Sequence, residues 1–321
     1  MQTTPVGIDI AKRTYQVSAQ VGAKRRHHSF TNDASGHAAL LAWLTRLGLP
    51  HVHAALEATG TYGEAVATVL TEAGHVVSVL NPAAVTAFAA SQLRRTKTDR
   101  VDADVLLDFV VAHQPPAWTP WPPEVRALQA LVRRIDAVQD MLTQERNRRA
   151  AGELMPAVVT SLTRHIAMLE AELADLEAQV RTHLDQHPPL RAQRDLLITI
   201  PGIGVATAAR LLAECRAITA FRSARAYAAF SGLVPRDRQS GTFQGRPRLA
   251  KMGSARLRRA MYFPALTACR HHPGLRAFRT KLLAAGKPKM VIVAAVMRKL
   301  LHTAYGVLKS QQPFDASLAR A

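Results

Sequence analysis

The chain has 321 residues, 48% hydrophobic and 20% charged, enough for two or three domains with a substantial core. Its formal net charge is +19, and the excess is segregated: residues 1–185 hold 18 Lys/Arg against 19 Asp/Glu, whereas residues 186–321 hold 24 against 4. With no run of eighteen apolar residues, no basic-then-apolar N-terminus and only Cys215 and Cys269, the chain excludes a disulfide framework and a cysteine zinc site, and a cytoplasmic protein without membrane span or secretion signal is expected.

Residues 6–11, 14–21 and 25–30 read as three successive strands, followed by a helix over 34–47 that stops at Gly48. A fourth strand over 51–57, a helix over 63–73 ended by Gly74, a fifth strand over 76–80 and a helix opened by Pro82 complete the series. Three strands, then alternating helix and strand, is the element order of an α/β ribonuclease-H-like sheet. Asp9 lies inside the first apolar strand and Glu57 at the end of the fourth. A carboxylate in such a strand carries a desolvation cost that a metal or a partner offsets. The stretch Thr96-Lys97-Thr98-Asp99-Arg100-Val101-Asp102 then places two more acids three residues apart, on one face of a helix start, among basic side chains. It can cap a helix or hold a metal against phosphate. Arg94, Arg95, Lys97 and Arg100 are the cations that would meet nucleic acid beside it. Asp104 and Asp108 follow nearby.

Five prolines within residues 115–123, interrupted by Trp118 and Trp121, give a stiff extended linker that closes a first domain over 1–114. Beyond it Leu128, Leu131, Ile135, Val138 and Leu142, then Leu162, Ile166, Leu169, Leu173, Leu176 and Val180, form two heptad seams over 124–186. They predict a long helical coiled-coil hairpin, which either dimerises or serves as an intramolecular spacer.

A basic, mainly α-helical third domain, 187–321, starts with Asp195 to Leu212, a helix, a Pro201-Gly202-Ile203-Gly204 turn and a second helix. This is either a helix-hairpin-helix unit whose amides around Gly202 and Gly204 face a phosphate, or a plain αα turn. Residues 231–246 are polar and glycine-rich, so they are not helix. They place Ser240 and Gly241 on a flexible loop flanked by Arg238 and Arg246; Arg248, Lys251, Arg256, Arg258 and Arg259 then lead into a helix reaching about Cys269. A serine attacks a phosphodiester only if it loses its proton and cations meet the charge building on phosphorus. The other reading of Ser240 is an ordinary loop residue. His271 and His272 are phosphate contacts or surface histidines, and Met290 to Val296 reads as a core helix.

Taken together, G-I-D-I-A-K at 7–12, L-E-A-T-G at 56–60, T-D-R-V-D-A at 98–103, I-P-G-I-G at 200–204 and S-G-L-V-P…Q-S-G at 231–241 resemble the bridge-RNA-guided insertion-sequence recombinases. Those are transposases with a DEDD catalytic set on a RuvC-like domain and a separate serine-bearing transposase domain. The resemblance implies that Asp9, Glu57, Asp99 and Asp102 hold Mg²⁺, with Asp104 and Asp108 outside the quartet, and that Ser240, not Ser231, is the nucleophile. It implies donor and target DNA and a noncoding bridge RNA as partners, and a homo-oligomer, dimer or tetramer, associating through the helical hairpin. Two other readings remain at this level: a hydrolytic, metal-dependent Holliday-junction-type resolvase, which leaves the basic serine domain unexplained, and a non-enzymatic nucleic-acid scaffold, which makes the acids structural.

Overall fold

The computed structural model describes residues 3–58, 60, 62–93, 98–152, 155–215, 217–236, 239–240, 243–244, 248–250 and 252–318. The chain divides into two compact units, Met1–Pro120 and Trp121–Ala321.

The first unit is built on a five-stranded sheet. Strands β1 (Thr4–Ile10), β2 (Thr14–Val21) and β3 (Lys24–Thr31) form an antiparallel meander, and β4 (Val52–Glu57) and β5 (Val76–Leu80) add to β1 in parallel, giving the order β3-β2-β1-β4-β5. This mixed sheet with its helices is compatible with a ribonuclease-H-like domain. Side chains alternate along each strand, which sorts the sheet into two faces. Val6, Ile8, Val17, Ala54, Leu56 and Val77 join one core, with Leu40 and Leu44 of α1 (Ala34–Arg46) and Val66 and Leu70 of α2 (Glu64–Glu72). Ala55 and Leu80 point the other way, into a second core with Val85 of α3 (Pro82–Ser91) and Val105, Leu106 and Val110 of α4 (Asp99–His113). The left-handed backbone at Gly48 (φ +71°) and Gly74 (φ +84°) follows α1 and α2, as their places in the sequence require. The proline-rich stretch is tied to this unit: Ser78 Oγ donates to the carbonyls of Pro115 (3.1 Å) and Pro116 (2.8 Å), the Trp118 amide donates to Val77, and the Trp118 ring packs on the sheet core.

The second unit opens with α5 (Pro123–Ala150) and α6 (Pro156–Gln186), an antiparallel hairpin cross-linked by Arg134 to Glu172 and Arg146 to Glu170, each at 2.6 Å. Val125, Leu128, Val132, Ile135, Val138 and Leu142 of α5 are buried, so Val132 rather than the half-buried Leu131 continues the stripe. At 3.6 residues per turn a straight helix drifts off a strict heptad, and here the buried face follows the helix. The base of the hairpin shares one core with α7 (Pro188–Ile198), α8 (Val205–Glu214), α9 (Ala224–Phe230), α10 (Ala255–Ala260), α11 (Tyr262–His271), α12 (Pro273–Ala284) and α13 (Lys289–Ser310). Helix α13 is the centre of that core through Ile292, Val296, Leu300, Leu301, Ala304 and Leu308. It is also the one described helix long and apolar enough to cross a bilayer, and half of its apolar window is buried inside the protein.

Two expectations for this unit need correction. The helix expected to run to about Cys269 is two, α10 and α11, interrupted at Met261, because Pro264 in the first turn of α11 lacks the amide that would continue a single helix. His272 is not a surface residue. It is 2% exposed, caps α12 by accepting the Leu275 amide on Nδ1, and packs against Phe314.

Candidate active site

The four carboxylates are set by the sheet and by one close helix. Asp9 shares its strand face with Gly7, and Glu57 shares its face with Ala55, which is the face that α4 covers. The parallel register pairs Ile8 with Leu56, so the next step along both strands sets Asp9 beside Glu57 at neighbouring carboxyl ends. Crevices at such strand ends are where open α/β sheets gather ligands.

Gly7 then decides where α4 can lie. A Cβ there would stand 1.9 Å from the Ala103 carbonyl oxygen and 2.5 Å from the Leu107 amide nitrogen, so the helix backbone rests on the bare strand. Asp102 directly precedes Ala103, and Asp99 begins the helix, which brings the first turn of α4 over Asp9. Thr98 caps that turn, its side chain accepting the Val101 amide at 3.3 Å. Capping and metal binding are therefore not alternatives for this stretch: Thr98 caps, and the two aspartates stay outside the cap.

The electrostatics agree with the placement. Burial raises the Asp9 carboxyl first, then the negative charges of Asp102, Asp99 and Glu57 in that order, and together they push it up to about 6. The donor set is all oxygen and concentrated in charge, the chemistry that Mg²⁺ selects. Among the described residues no three such side chains already stand close enough to form a metal cage. Mutual repulsion of bare carboxylates opposes such closure.

Asp104 and Asp108 do something else, which the sequence reading missed. Asp104 accepts from Ser18 Oγ at 2.5 Å and lies 2.8 Å from His27 Nε2, with Arg25 at 3.6 Å; Asp108 pairs with the same arginine. Burial raises the Asp104 carboxyl, but the hydrogen bonds from Ser18 and His27 and the charges of His27 and Arg25 outweigh it and hold it below its ordinary value. These contacts fasten α4 to β2 and β3 on the same sheet face as Gly7, since the register pairs Gly7 with Ser18 and Ser18 with His27. The signal was present in Lys24-Arg25-Arg26-His27-His28, an unusually basic strand whose alternate members Arg25 and His27 share one face.

The remaining candidates lie in the second unit or outside the described residues. Arg94, Arg95, Lys97, Arg238, Gly241, Arg246 and Lys251 fall outside them, and Arg100 is exposed. Ser240 is not on an open loop: its backbone belongs to β7 (Gln239–Ser240), paired antiparallel with β8 (Phe243–Gln244), so that Ser240 faces Phe243 across a two-residue connection. That hairpin is carried on a stem of β6 (Pro235–Arg236) and β9 (Arg248–Leu249). Ser231 is fully buried and donates to the Ala228 carbonyl at 2.6 Å, which leaves it no access to a substrate. Arg258 donates to the Ser231 carbonyl at 3.1 Å and Arg259 pairs with Asp140, while Arg248 and Arg256 are exposed. Gly202 (φ +104°) is in contact with α11, where a Cβ would come within 2.8 Å of the Pro264 oxygen; Gly204 is exposed and starts α8 without a side-chain cap.

Comparison with known proteins places this geometry. The DEDD transposase model of the IS110 type matches residues 6–151, and the model for transposases of the IS116/IS110/IS902 family matches residues 194–280. The pilin gene-inverting protein of Moraxella bovis is 33% identical over 320 residues, covering 98% of both chains. The chain belongs to the IS110 family of transposases. The corresponding protein of Moraxella lacunata is 32% identical, again over 98% of both chains, and the transposase of the insertion element IS1328 of Yersinia enterocolitica is 26% identical over 80% of this chain and 81% of its own. The protein is thus an insertion-sequence transposase, an enzyme that recombines DNA.

Proposed function

We infer that this transposase cuts and exchanges DNA strands through a covalent phosphoserine, with Ser240 as nucleophile, the Asp9/Glu57/Asp99/Asp102 quartet as its metal-binding partner, and a noncoding bridge RNA selecting donor and target DNA. The observation that carries the reading is the gathering of those acids around Asp9, under a helix that only a glycine at position 7 admits. Magnesium held by the quartet supplies charge neutralisation at the phosphate oxygens. Ser240 Oγ attacks phosphorus in line; the Oγ–P bond forms, the bond from phosphorus to the 3′ oxygen breaks, and that oxygen leaves as a 3′-hydroxyl after taking up a proton. A 3′-hydroxyl from a second end reverses the step and restores Ser240, so strands are exchanged without net hydrolysis. A pilin gene-inverting relative supports exchange over hydrolysis, because inverting a gene requires the cut ends to be rejoined. The basic C-terminal part, with 24 Lys/Arg against 4 Asp/Glu, suits backbone contacts to DNA and RNA, while base pairing by the RNA supplies sequence choice. Subunits associate through the α5–α6 hairpin, whose far end exposes Met155, Val158 and Val159.

The test is incubation with Mg²⁺, the element's RNA and its DNA ends, followed by a denaturing gel. A protein–DNA species is expected with the native chain and absent from Ser240→Ala and Asp99→Asn. Complete strand transfer by Ser240→Ala would refute the nucleophile, and cutting without any adduct would return the enzyme to hydrolytic chemistry.

A further inference from the structure

A groove of about 840 Å³ opens in the second unit between the stem of the Ser240 hairpin, α10, the start of α11 and the N-terminal half of α13. Its wall is apolar and in part strongly exposed: Phe263 is 74% exposed, Met290 63% and Val291 53%. Large apolar side chains left in water on a contiguous surface mark a binding surface. Four arginines, Arg248, Arg258, Arg259 and Arg298, stand around this wall, and among the described residues no acid lines it. Arg258 and Arg259 already have partners in Ser231 and Asp140, whereas Arg248 and Arg298 form no hydrogen bond or ion pair among the described residues.

An apolar surface with unpaired cations at its edge fits a ligand that has flat apolar faces strung on an anionic chain. We propose that the groove receives unpaired bases of the DNA strand flanking the cut, stacked on Phe263, with Arg248 and Arg298 on the neighbouring phosphates. The assignment to DNA rests on the phosphoserine reading. Ser240 lies four residues beyond Arg236 of the stem, and at roughly 3.6 Å per residue its backbone is within about 14 Å of that strand. A strand whose phosphate meets Ser240 therefore has its next few nucleotides in reach of the groove. Stacking on an aromatic ring is tolerant of sequence, so it holds melted DNA while leaving sequence choice to another reader.

The test uses the full chain and fluorescence anisotropy with a single-stranded DNA oligonucleotide, its duplex and the RNA of the same sequence. Phe263→Ala should weaken single-stranded DNA binding roughly ten-fold, the size of one lost aromatic stack, and leave duplex binding within about two-fold; Phe263→Trp should restore it. Met290→Gln, on a less exposed position of the same wall, should weaken it several-fold. A 2-aminopurine placed within three nucleotides of the cut should change its emission on binding native protein and not Phe263→Ala. Unchanged single-strand affinity in both Phe263→Ala and Met290→Gln overturns the proposal, as do equal losses on duplex and single strand. So does a Phe263-dependent preference for RNA, or a loss of self-association in sedimentation with DNA binding intact, which would give the groove to the guide strand or to a second copy. The Ser240 adduct is read separately: an adduct without Phe263-dependent stacking sinks only this proposal, and stacking without an adduct sinks only the phosphoserine chemistry.

Discussion

Asp9 bears the electrostatic cost of the quartet, and that cost has a measurable sign. Its folded value of about 6 lies above the ordinary 3.8, so the folded protein binds this proton more tightly than the unfolded chain does. The stability this provides is full below about pH 3.8 and is lost as pH rises through 6. In EDTA at pH 7, Asp9→Asn should therefore stabilise the protein, on the order of 1 kcal/mol once the half-exposed position is discounted for solvent screening, while abolishing strand exchange. Urea unfolding at pH 7 and pH 4.5 checks the stability and the denaturing gel checks the exchange; a destabilised Asp9→Asn at pH 7 would mean the acids do not crowd one another. Residue types and spacing singled out Asp9, Glu57, Asp99 and Asp102, because a carboxylate in or beside an apolar strand, or paired on a helix start, carries a cost that a partner must offset. Asp104 was legible only as an acid too many. That it binds Ser18 and His27 depends on which way α4 turns, which no local spacing encodes.

The element that matters most is α4, held to one face of the sheet by two kinds of contact. Gly7 lets its backbone touch β1, and Arg25, His27 and Ser18 grip its polar flank through Asp104 and Asp108. Gly7→Ala drives a methyl group into the Ala103 carbonyl, a backbone atom that cannot rotate away. We expect a loss of at least about 3 kcal/mol, the upper end for overpacked cores, read as a drop in the urea midpoint together with loss of adduct formation. A variant within about 1 kcal/mol of the native chain would show that α4 lies elsewhere. The strands and most helix ends of the first unit were readable because period-two apolar runs, glycine stops and prolines act locally. The hairpin stripe was nearly readable, with Val132 replacing Leu131, since seam membership depends on the partner helix. The Ser240 segment was read as an open loop although it forms β7 and β8, because two-residue strands carry no periodicity.

Across the whole molecule, charge is unevenly divided: the first unit is nearly neutral, with 10 Lys/Arg against 9 Asp/Glu, and the cationic excess lies in the second, with 32 against 14. Binding of duplex DNA by the full chain should lose roughly three to five orders of magnitude between 50 and 200 mM salt, as for a protein neutralising six to ten phosphates. Filter binding across a salt series checks this, and a nearly flat plot would mean the excess charge serves some other purpose. That such a field exists, that it suits a polyanion and that the first unit is a mixed α/β sheet were determined by sequence, since each follows from residue identity and short-range spacing. Which face of the sheet the acids share, that a bare glycine admits the helix above them, which arginines are already paired and where an apolar groove opens beside the serine hairpin were decided by tertiary structure alone. Those features arise from contacts between segments as much as 119 residues apart, where packing and the cost of burying charge choose among arrangements that local preference leaves equal.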